Sequence, residues 1–407
     1  MNCRFCQHEL THLFVSLGSS PLANAFLTRE RIRQAESFYP LDVYVCDRCF
    51  LVQLDPFELP ERIFEDYAYF SSYSESWLEH AKSYARRMIE SYGIGRESQV
   101  VEIASNDGYL LQYFAGEKIP VLGIEPAANV AEAAERKGIP TVVAFFGAET
   151  ARRLKARGTS ADLLIGNNVL AHVPDLNDFV QGMKILLRPR GLITLEFPHL
   201  VKLIEAVQFD TIYHEHHSYF SFLTVEKIFA AFGLTLFDVE ELPTHGGSLR
   251  IYARHDEDTD RPVSERVGNL RNRERQSGFA GLDRYLSFQD RVHAAKREIL
   301  KFFIEAREKG ASIVGYGAAA KGNTLINFCG IKTDFMDYVV DRNPHKQGRF
   351  LPGSHIPVYE PTRVRETKPD YVVVLPWNIQ EEIMAQMSYI QEWGGRFVVL
   401  IPEVRVM

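Results

Sequence analysis

The sequence lacks any long apolar run. No stretch holds the roughly 18 uninterrupted apolar residues that a membrane-spanning helix needs, and residues 1–8 carry no apolar segment of the secretory type. Basic residues are not in excess, because 46 Lys and Arg stand against 53 Asp and Glu, a net charge of −7. These absences argue against a membrane protein and against a nucleic-acid partner. We expect a protein of the cytoplasm.

Low-complexity segments and fixed-period repeats are also missing from the sequence. The 407 residues are 46% hydrophobic and 24% charged, which is typical of a globular chain with full cores and not of a disordered one. A chain of this length is expected to form two or three domains.

Cysteine is scarce and unevenly placed. Cys3 and Cys6 form one C-x-x-C motif, Cys46 and Cys49 form another, and Cys329 stands alone. In a reducing compartment such pairs are typical of zinc ligands, and two pairs complete a closed tetrahedral shell with no position for water. We therefore predict a structural zinc site. The alternatives are four unconnected thiols or a redox C-x-x-C, although no βαβ pattern surrounds these pairs.

The N-terminal segment predicts a small, irregular zinc module. Between the cysteine pairs, FVSLGSSPLANAF at 14–26 predicts a loop and YPLDVYVC at 39–46 predicts a strand. Further along, apolar and aromatic residues recur at helical spacing over 76–94, and Gly93 and Gly95 predict the end of that helix.

Strands alternate with helices from residue 99 to 198 and again after residue 311, which is the pattern of parallel sheets with crossover helices. The stretch 256–300 is strongly charged and predicts a solvated helix or a linker. The predicted fold class is therefore α/β, with two α/β units behind the zinc module. We place the domains at 1–65, 66–255 and 256–407.

The first α/β unit contains a candidate cofactor site. Small residues in the turn from Glu102 to Gly108 let the backbone approach a ligand closely, and the next helix offers free N–H groups. The second strand ends on Glu125, whose carboxylate can accept both hydroxyls of an adenosine ribose. The turn is not G-x-G-x-x-G, which disfavours a dinucleotide and favours S-adenosylmethionine; an ordinary tight turn is the alternative. The candidate cofactor residues are Glu102, Ser105, Asn106, Gly108, Glu125, Phe146, Asn167 and Asn168.

Several motifs occur together and in a fixed order: the two cysteine pairs, VVEIASNDGYLL, GIEPAANVA, NNVLAHVPD, FDTIYHEHHSYFS, HGGSLRIY and GYGAAAKGNTLINF. As a set covering essentially the whole chain, they resemble the sugar C-methyltransferases of deoxysugar biosynthesis. The resemblance implies an N-terminal zinc module, a class I S-adenosylmethionine-dependent methyltransferase (Rossmann-like) core and a C-terminal Rossmann-like domain. It also implies a nucleotide-linked keto-deoxysugar as acceptor, dTDP-linked or else GDP- or CDP-linked, methylated at C3 beside a 4-ketone.

Carbon methylation needs a carbanion equivalent, which deprotonation beside a ketone supplies as an enolate. A base and donors for the developing oxyanion must lie near the acceptor, and YHEHHSY at 213–219 concentrates such groups. A histidine titrates near neutrality and is a suitable base. Carried over residue by residue, the resemblance implies that the base is His216. It places Glu215, Tyr213, Tyr67 and His172 at further active-site positions.

Other interpretations of these residues stay open. The histidines of 213–219 could form a metal cluster with Glu215, or the segment could be a hydrated polar loop. Tyr67 lies in an aromatic-rich stretch, and such stretches often pack without acting in catalysis. His172 could be a structural histidine.

Two further segments predict contacts with the nucleotide sugar. HGGSLR at 245–250 places hydrogen-bond donors beside two glycines, and a β-bulge or hairpin turn is an equal alternative. GYGAAAKGN at 315–323 follows a strand and opens a helix that could hold a diphosphate, with a second bound cofactor, NAD, as the alternative. The candidate substrate residues are His245, Arg250, Lys321 and Asn323.

The predicted function is S-adenosylmethionine-dependent C-methylation beside the ketone of a nucleotide-diphospho-4-keto-deoxysugar, through an enolate that a histidine generates. The alternatives are O- or N-methylation of a sugar, or a non-catalytic zinc-containing binding module. Neither a nucleic-acid nor a membrane partner is expected. The chain is expected to be a monomer or a homodimer.

Overall fold

The computed structural model describes residues 1–55, 71–73 and 75–407, so the predicted active-site residue Tyr67 lies outside the described residues. Three β-sheets with surrounding helices make up the described part of the chain. Within these ranges, no helix combines the length and the apolar character that crossing a membrane requires.

The first sheet is antiparallel, and its strands in spatial order are β1 (His12–Ser20), β2 (Tyr39–Val45), β3 (Val52–Leu54) and β9 (Ser218–Tyr219). The predicted strand at 39–46 is confirmed, whereas the loop predicted at 14–26 is wrong for its first half. The small polar residues of β1 suggested a loop, but the ring of Phe14 is buried and stacks on Phe288 at 4.7 Å. Tertiary packing therefore overrides the weak local preference.

The central sheet contains β4 (Val100–Ile103), β5 (Val121–Glu125), β6 (Thr141–Val143), β7 (Ala161–Asn167), β8 (Leu187–Pro198), β10 (Leu234–Leu242) and β11 (Ser248–His255). Its spatial order is β10-β11-β8-β7-β4-β5-β6. Strands β4 to β8 run parallel, and β11 is antiparallel to both of its neighbours. The chain reverses its direction of winding between β4 and β7, and the crevice at such a switch point is where α/β sheets bind ligands.

Helices cover both faces of this sheet because successive strand residues point to opposite sides. Val100 belongs to the core beneath one set of helices, and Val101 belongs to the core beneath the other. The predicted helix at 76–94 is confirmed and ends before Gly93, which has a φ of +66°. The helices of this part are α1 (Glu75–Tyr92), α2 (Leu111–Gly116), α3 (Ala128–Arg136), α4 (Ala148–Ala156), α5 (Leu176–Leu186), α6 (Leu200–Glu205) and α7 (Phe222–Ala231).

The charged stretch at 256–300 is mostly helical, as predicted, but it is more than a solvated connection. Its helices are α8 (Glu265–Gln276), α9 (Asp283–Leu286) and α10 (Phe288–Glu308). Phe288 and Val292 are fully buried on α10 and belong to the same apolar core as Phe14 of β1. The helix therefore joins the first module to the last one.

The third sheet contains β12 (Ile313–Tyr316), β13 (Val339–Val340), β14 (Val358–Tyr359), β15 (Tyr371–Val374), β16 (Arg396–Val399) and β17 (Arg405–Val406). Its order, β14-β13-β12-β15-β16-β17, is that of a Rossmann-like sheet, with β17 antiparallel. Its helices are α11 (Ala320–Cys329), α12 (Arg363–Thr367) and α13 (Gln380–Gln386). The predicted fold class is confirmed.

Candidate active site

A cavity of about 1740 Å³ lies at the carboxyl ends of the parallel central strands. Residues that directly follow β4, β5 and β7 form one wall, at the switch point where a ligand is expected. The opposite wall comes from two other parts of the chain, the first module around Asn24 and the C-terminal unit around Lys321. The cavity is therefore built where three parts of the chain meet.

Most of the predicted site residues reach this cavity. The cofactor candidates on its wall are Asn106, Glu125, Phe146, Asn167 and Asn168. The catalytic and substrate candidates on its wall are His172, Tyr213, Glu215, His216, His245 and Lys321.

Glu125 ends β5 as predicted and is held by backbone N–H groups. One carboxylate oxygen accepts from the Asn106 N–H at 3.0 Å, and the other accepts from the Ala127 N–H at 2.9 Å. Burial raises the pKa of this carboxyl group, and the two N–H bonds oppose that rise. A carboxylate has about four lone-pair positions, so capacity remains for the ribose hydroxyls of a cofactor.

Asn167 is the last residue of β7, and Asn168 follows it directly. Oδ1 of Asn167 is buried without a hydrogen-bond partner among the described residues, which suits it to an ammonium group such as that of a methionine moiety. Phe146 packs edge-on against Phe179 at 5.4 Å and offers an apolar surface to an adenine. Together with Glu125, these groups fit S-adenosylmethionine.

Three cofactor candidates shape the turn without lining the cavity. Glu102 is fully buried, and burial raises the pKa of its carboxyl group well above the usual value. Ser105 is also fully buried. Gly108 has a φ of +76°, and a Cβ there would lie 2.9 Å from Cγ1 of Ile139. Because none of these three residues lines the cavity, the structure does not support the predicted direct contact between them and a cofactor.

A hydrogen bond to the backbone orients His216 so that it can act as a base. Its Nδ1–H donates to the carbonyl oxygen of Thr211 at 2.9 Å, which leaves Nε2 as the basic nitrogen. The ring lies 4.0 Å from the ring of Tyr213 and 4.8 Å from that of His172. Burial, with a smaller contribution from His172, lowers the pKa of His216 well below the usual value. The imidazole is therefore neutral near pH 7 and can accept a proton.

Glu215 and His172 lie beside this base. Nδ2 of Asn24, from the first module, donates to Oε1 of Glu215 at 2.6 Å. Burial raises the pKa of Glu215 and lowers the pKa of His172 to about 4. The sequence did not indicate Asn24, because it stands in a segment without any catalytic motif.

The histidine segment does not form a metal cluster. Within the described ranges, the His, Cys, Asp and Glu side chains placed to share one ion are the four predicted cysteines. His214 instead directs Nε2 to the carbonyl oxygen of Pro40 at 3.1 Å. The competing metal interpretation of residues 213–219 is therefore wrong.

The four cysteine sulfurs fit a zinc ion. They lie within 4.8 Å of one another, with Cys3–Cys49 and Cys6–Cys46 at 3.5 Å each. A tetrahedral site with Zn–S bonds of about 2.3 Å separates its sulfurs by about 3.8 Å. Zinc binds cysteine as the thiolate, and four thiolates complete its coordination shell. None of the four lines the cavity, which agrees with a structural role.

Lys321 and His245 line the cavity as substrate candidates, and Nε2 of His245 lies 3.0 Å from Nδ2 of the cofactor candidate Asn168. Nζ of Lys321 donates to Oδ1 of Asn378 at 2.7 Å and lies 4.7 Å from the ring centre of Trp377. Burial lowers the pKa of Lys321, and nearby Asp210 opposes that shift. Burial also lowers the pKa of His245 to about 4.

Arg250 and Asn323 do not line the cavity, so the predicted direct contacts with the substrate need correction. Arg250 is 2% exposed, and Glu196 accepts from its Nη2 at 2.5 Å. Glu196 also accepts from the Thr244 hydroxyl at 2.8 Å, so the arginine supports the turn that carries His245. Nδ2 of Asn323 donates to the carbonyl oxygen of Ala23 at 2.6 Å and joins the C-terminal unit to the first module.

Arg250 was the predicted basic residue for the substrate together with Lys321, but other basic residues line the cavity. Arg31, Lys346 and Arg349 line the cavity beside Lys321. Lys346 donates to the carbonyl oxygen of Ala318 at 2.7 Å, while Arg31 and Arg349 have exposed side chains. The basic run DRNPHKQGRF at 341–350 was the sequence signal that could have indicated two of them.

Other residues of the protein fill the space beside the glycine-rich turn of the third sheet. The Ala318 N–H donates to Oδ2 of Asp341 at 2.7 Å. At Gly317, which has a φ of +88°, a Cβ would lie 2.5 Å from Cδ of Pro376. The Ala318 N–H and the space beside Gly317, which a bound dinucleotide would use, are thus taken by the protein itself.

Comparisons with known proteins agree with this arrangement. Residues 3–64 match the zinc binding domain family, residues 77–239 match the methyltransferase domain family, and residues 243–402 match the C-methyltransferase C-terminal domain family. C-methyltransferase NovU from Streptomyces niveus is 36% identical over 408 residues, which cover 100% of this chain and 96% of that protein.

Solved structures give a more distant likeness. The PH0226 protein from Pyrococcus horikoshii OT3 is 13% identical with a TM-score of 0.39, covering 49% of this chain and 100% of that one. Magnesium protoporphyrin IX methyltransferase from Synechocystis PCC 6803, with bound SAM, is 14% identical with a TM-score of 0.35, covering 47% and 88%.

The full-length relative and the domain families establish an enzyme that uses S-adenosylmethionine and carries a structural zinc. The alternative of a non-catalytic binding module is thereby set aside. The chain belongs to the S-adenosylmethionine-dependent C-methyltransferases that carry an N-terminal zinc-binding domain.

Proposed function

We propose that this enzyme methylates C3, beside the ketone, of a nucleotide-diphospho-4-keto-deoxysugar, with dTDP as the nucleotide. The observation that carries the proposal is His216, a neutral base with an oriented Nε2 on the wall that also holds the cofactor residues. Methylation at carbon requires such a base to remove a C–H proton, whereas transfer to a hydroxyl or an amine can use a base but breaks no C–H bond of the acceptor.

In this proposal Nε2 of His216 takes the proton from the acceptor carbon. The electron pair of the broken C–H bond moves onto the ketone oxygen and gives an enolate. The Tyr213 hydroxyl stabilises this enolate, since the Tyr213 ring packs against the ring of the base. Glu215, held by Asn24, orients the sugar, and His172 packs edge-on against the base. S-adenosylmethionine, when bound, supplies the methyl group. Tyr67 remains a proposed active-site residue outside the described residues.

The basic residues that line the cavity support a diphosphate-linked acceptor. Lys321, Lys346 and Arg349 come from the C-terminal unit and Arg31 comes from the first module, so cationic groups from two parts of the chain face one space. Guanidinium and ammonium groups are the side chains that recognise diphosphates. We assign residues 256–407 an assisting role in nucleotide-sugar binding, beside a zinc module at 1–65 and a methyltransferase domain at 66–255.

Isotope exchange separates this proposal from transfer to oxygen or nitrogen. The enzyme is incubated in D2O with S-adenosylhomocysteine and with dTDP-, GDP- or CDP-linked 4-keto-deoxysugars in turn. We expect deuterium to enter the carbon beside the ketone faster than in enzyme-free samples, and the same sugar to gain one methyl group with S-adenosylmethionine. Methyl gain at oxygen or nitrogen without enzyme-dependent exchange at carbon would contradict the proposal.

Methyl transfer is expected to persist at pH values at which an ordinary histidine is protonated. Burial lowers the pKa of His216 well below its usual 6.5, and the base acts only when neutral. The value of kcat/KM should therefore stay flat as the pH falls to 6.5 and decline only at lower pH. A profile of kcat/KM from about pH 5 to 8 measures this, and a decline that begins above 6.5 would speak against His216.

Asp210 provides the control for this profile. Burial raises the pKa of Asp210 to about 6, so its titration falls in the same range of pH. A decline that remains in the Asp210→Asn variant belongs to another group and supports the assignment to His216. A decline that disappears in that variant belongs to Asp210 and contradicts the assignment.

A further inference from the structure

Arg4 connects the zinc ligands to the histidine segment. It stands inside the first cysteine pair, and its Nη1 donates to the carbonyl oxygen of His217 and, at 3.4 Å, to Oγ of Ser218. Its Nη2 donates to the carbonyl oxygen of Leu54 at 2.9 Å. One guanidinium group thus bridges the end of β3 and the residue that directly follows His216.

The other end of Arg4 is fixed to the zinc site. Its backbone N–H donates to Oε1 of Gln53 at 2.9 Å, and Nε2 of Gln53 donates to Sγ of Cys3 at 3.2 Å. Gln53 lies on β3 and is paired with Ser218 of β9. A continuous path of hydrogen bonds therefore leads from a zinc ligand to the backbone beside the base.

Besides Arg4, the segment around His216 is attached to the first module by the Asn24–Glu215 and His214–Pro40 hydrogen bonds and by the pairing of β9 with β3. Its backbone contacts to the central part include the His217 N–H, which donates to the carbonyl oxygen of Ala171 at 2.7 Å. The Leu54 N–H donates to the carbonyl oxygen of His217 at 3.1 Å, the same oxygen that accepts from Arg4. His217 is thus hydrogen-bonded to the central part through its N–H and to the first module through its carbonyl oxygen. These two attachments fix the position of the neighbouring His216 in the cavity.

We propose that Arg4 is a positioning residue: when zinc holds the first module in its folded shape, the hydrogen bonds of Arg4 fix the backbone beside the base His216. The inference rests on the proposed function in taking His216 as that base. A displacement of about 1 Å in a catalytic group costs on the order of 100-fold in rate. Loss of the guanidinium bridge therefore acts on turnover, while the cofactor residues lie on other elements of the central sheet.

The test compares Arg4→Met with Arg48→Met in the full-length, zinc-loaded enzyme. Arg48 is the matched control because it stands inside the second cysteine pair and its side chain is exposed. For Arg4→Met we expect one zinc per chain, S-adenosylmethionine affinity within about twofold, and kcat lowered by about 10- to 100-fold. Amide hydrogen exchange should become about tenfold faster at residues 213–220 and stay unchanged at 100–125. Arg48→Met should match the wild type in every measurement.

Unchanged exchange at 213–220 in Arg4→Met would overturn the proposal. So would equal losses in both arginine variants, or faster exchange at 100–125 as well as at 213–220. If Arg4→Met does not fold, Arg4→Lys replaces it, because lysine keeps the charge but cannot bridge two carbonyl groups as the planar guanidinium does. The exchange and affinity measurements need no sugar substrate, so they decide the proposal even if the enzyme methylates none of the keto-deoxysugars tested.

Discussion

His216→Asn is expected to abolish methyl transfer and to leave cofactor binding intact. Asparagine keeps a polar side chain but cannot take a proton from carbon near neutral pH, and a positioned general base contributes about 10²- to 10⁴-fold to a rate. We expect kcat to fall by about 10³-fold, measured as methyl gain by mass spectrometry. The dissociation constant of S-adenosylmethionine, measured by calorimetry, should stay within about twofold, because Glu125 and Asn167 lie on separate strands.

A matched histidine variant separates the loss of the base from a general effect of the substitution. His293 lies on α10, where it bonds to Gln289 outside the cavity, so His293→Asn should keep wild-type turnover. His216→Asn with wild-type turnover would refute His216 as the base. Loss of cofactor affinity in the same variant would instead point to a collapsed site.

Cys46→Ala is expected to cost the protein its zinc and a large part of its stability. The four sulfurs would hold both C-x-x-C turns of the first module on one ion, and structural zinc sites in small peptides are worth about 10–16 kcal/mol. Removal of one thiolate should reduce the zinc content from one ion per chain to a small fraction. The free energy of unfolding should fall by about 5 kcal/mol or more. Metal analysis and denaturant unfolding measure the two effects.

Cys329→Ala is the control for this substitution. Cys329 is also buried, at 4% exposure, but it lies in the apolar core on α11 and does not belong to the four-sulfur cluster. This variant should keep its zinc and lose only about 1 kcal/mol, as is usual for removal of one buried atom. Equal losses of stability in the two variants, or full zinc content in Cys46→Ala, would contradict the structural zinc site.

The features that the sequence predicted correctly depend on local order along the chain. The zinc ligands follow from two short spacings, and Glu125 follows from its place at the end of a strand. The alternation of strands and helices established the two α/β units in the same way. In each case the signal is a short local pattern, a C-x-x-C spacing or the end of a strand, although the two cysteine pairs themselves stand far apart in the sequence.

The features that the sequence did not predict depend on contacts between distant segments. Arg250 looked like a substrate ligand because it follows two glycines, but its side chain enters a buried network with Glu196. Arg31 and Arg349 share a cavity although more than 300 residues separate them in the chain, and no local pattern brings them together. β1 likewise becomes a strand through Phe14, whose partner is Phe288.

The shared packing of β1 and α10 has a consequence for folding during synthesis. Phe14 leaves the ribosome early, but Phe288, on which it stacks, follows 274 residues later. At about 5–20 residues per second, that interval is on the order of 14–55 s. The sheet of the first module also waits for β9 before its last strand pairs. β1 therefore completes its apolar packing only after α10 has been synthesised, and until then the face of β1 that carries Phe14 stays without its partner.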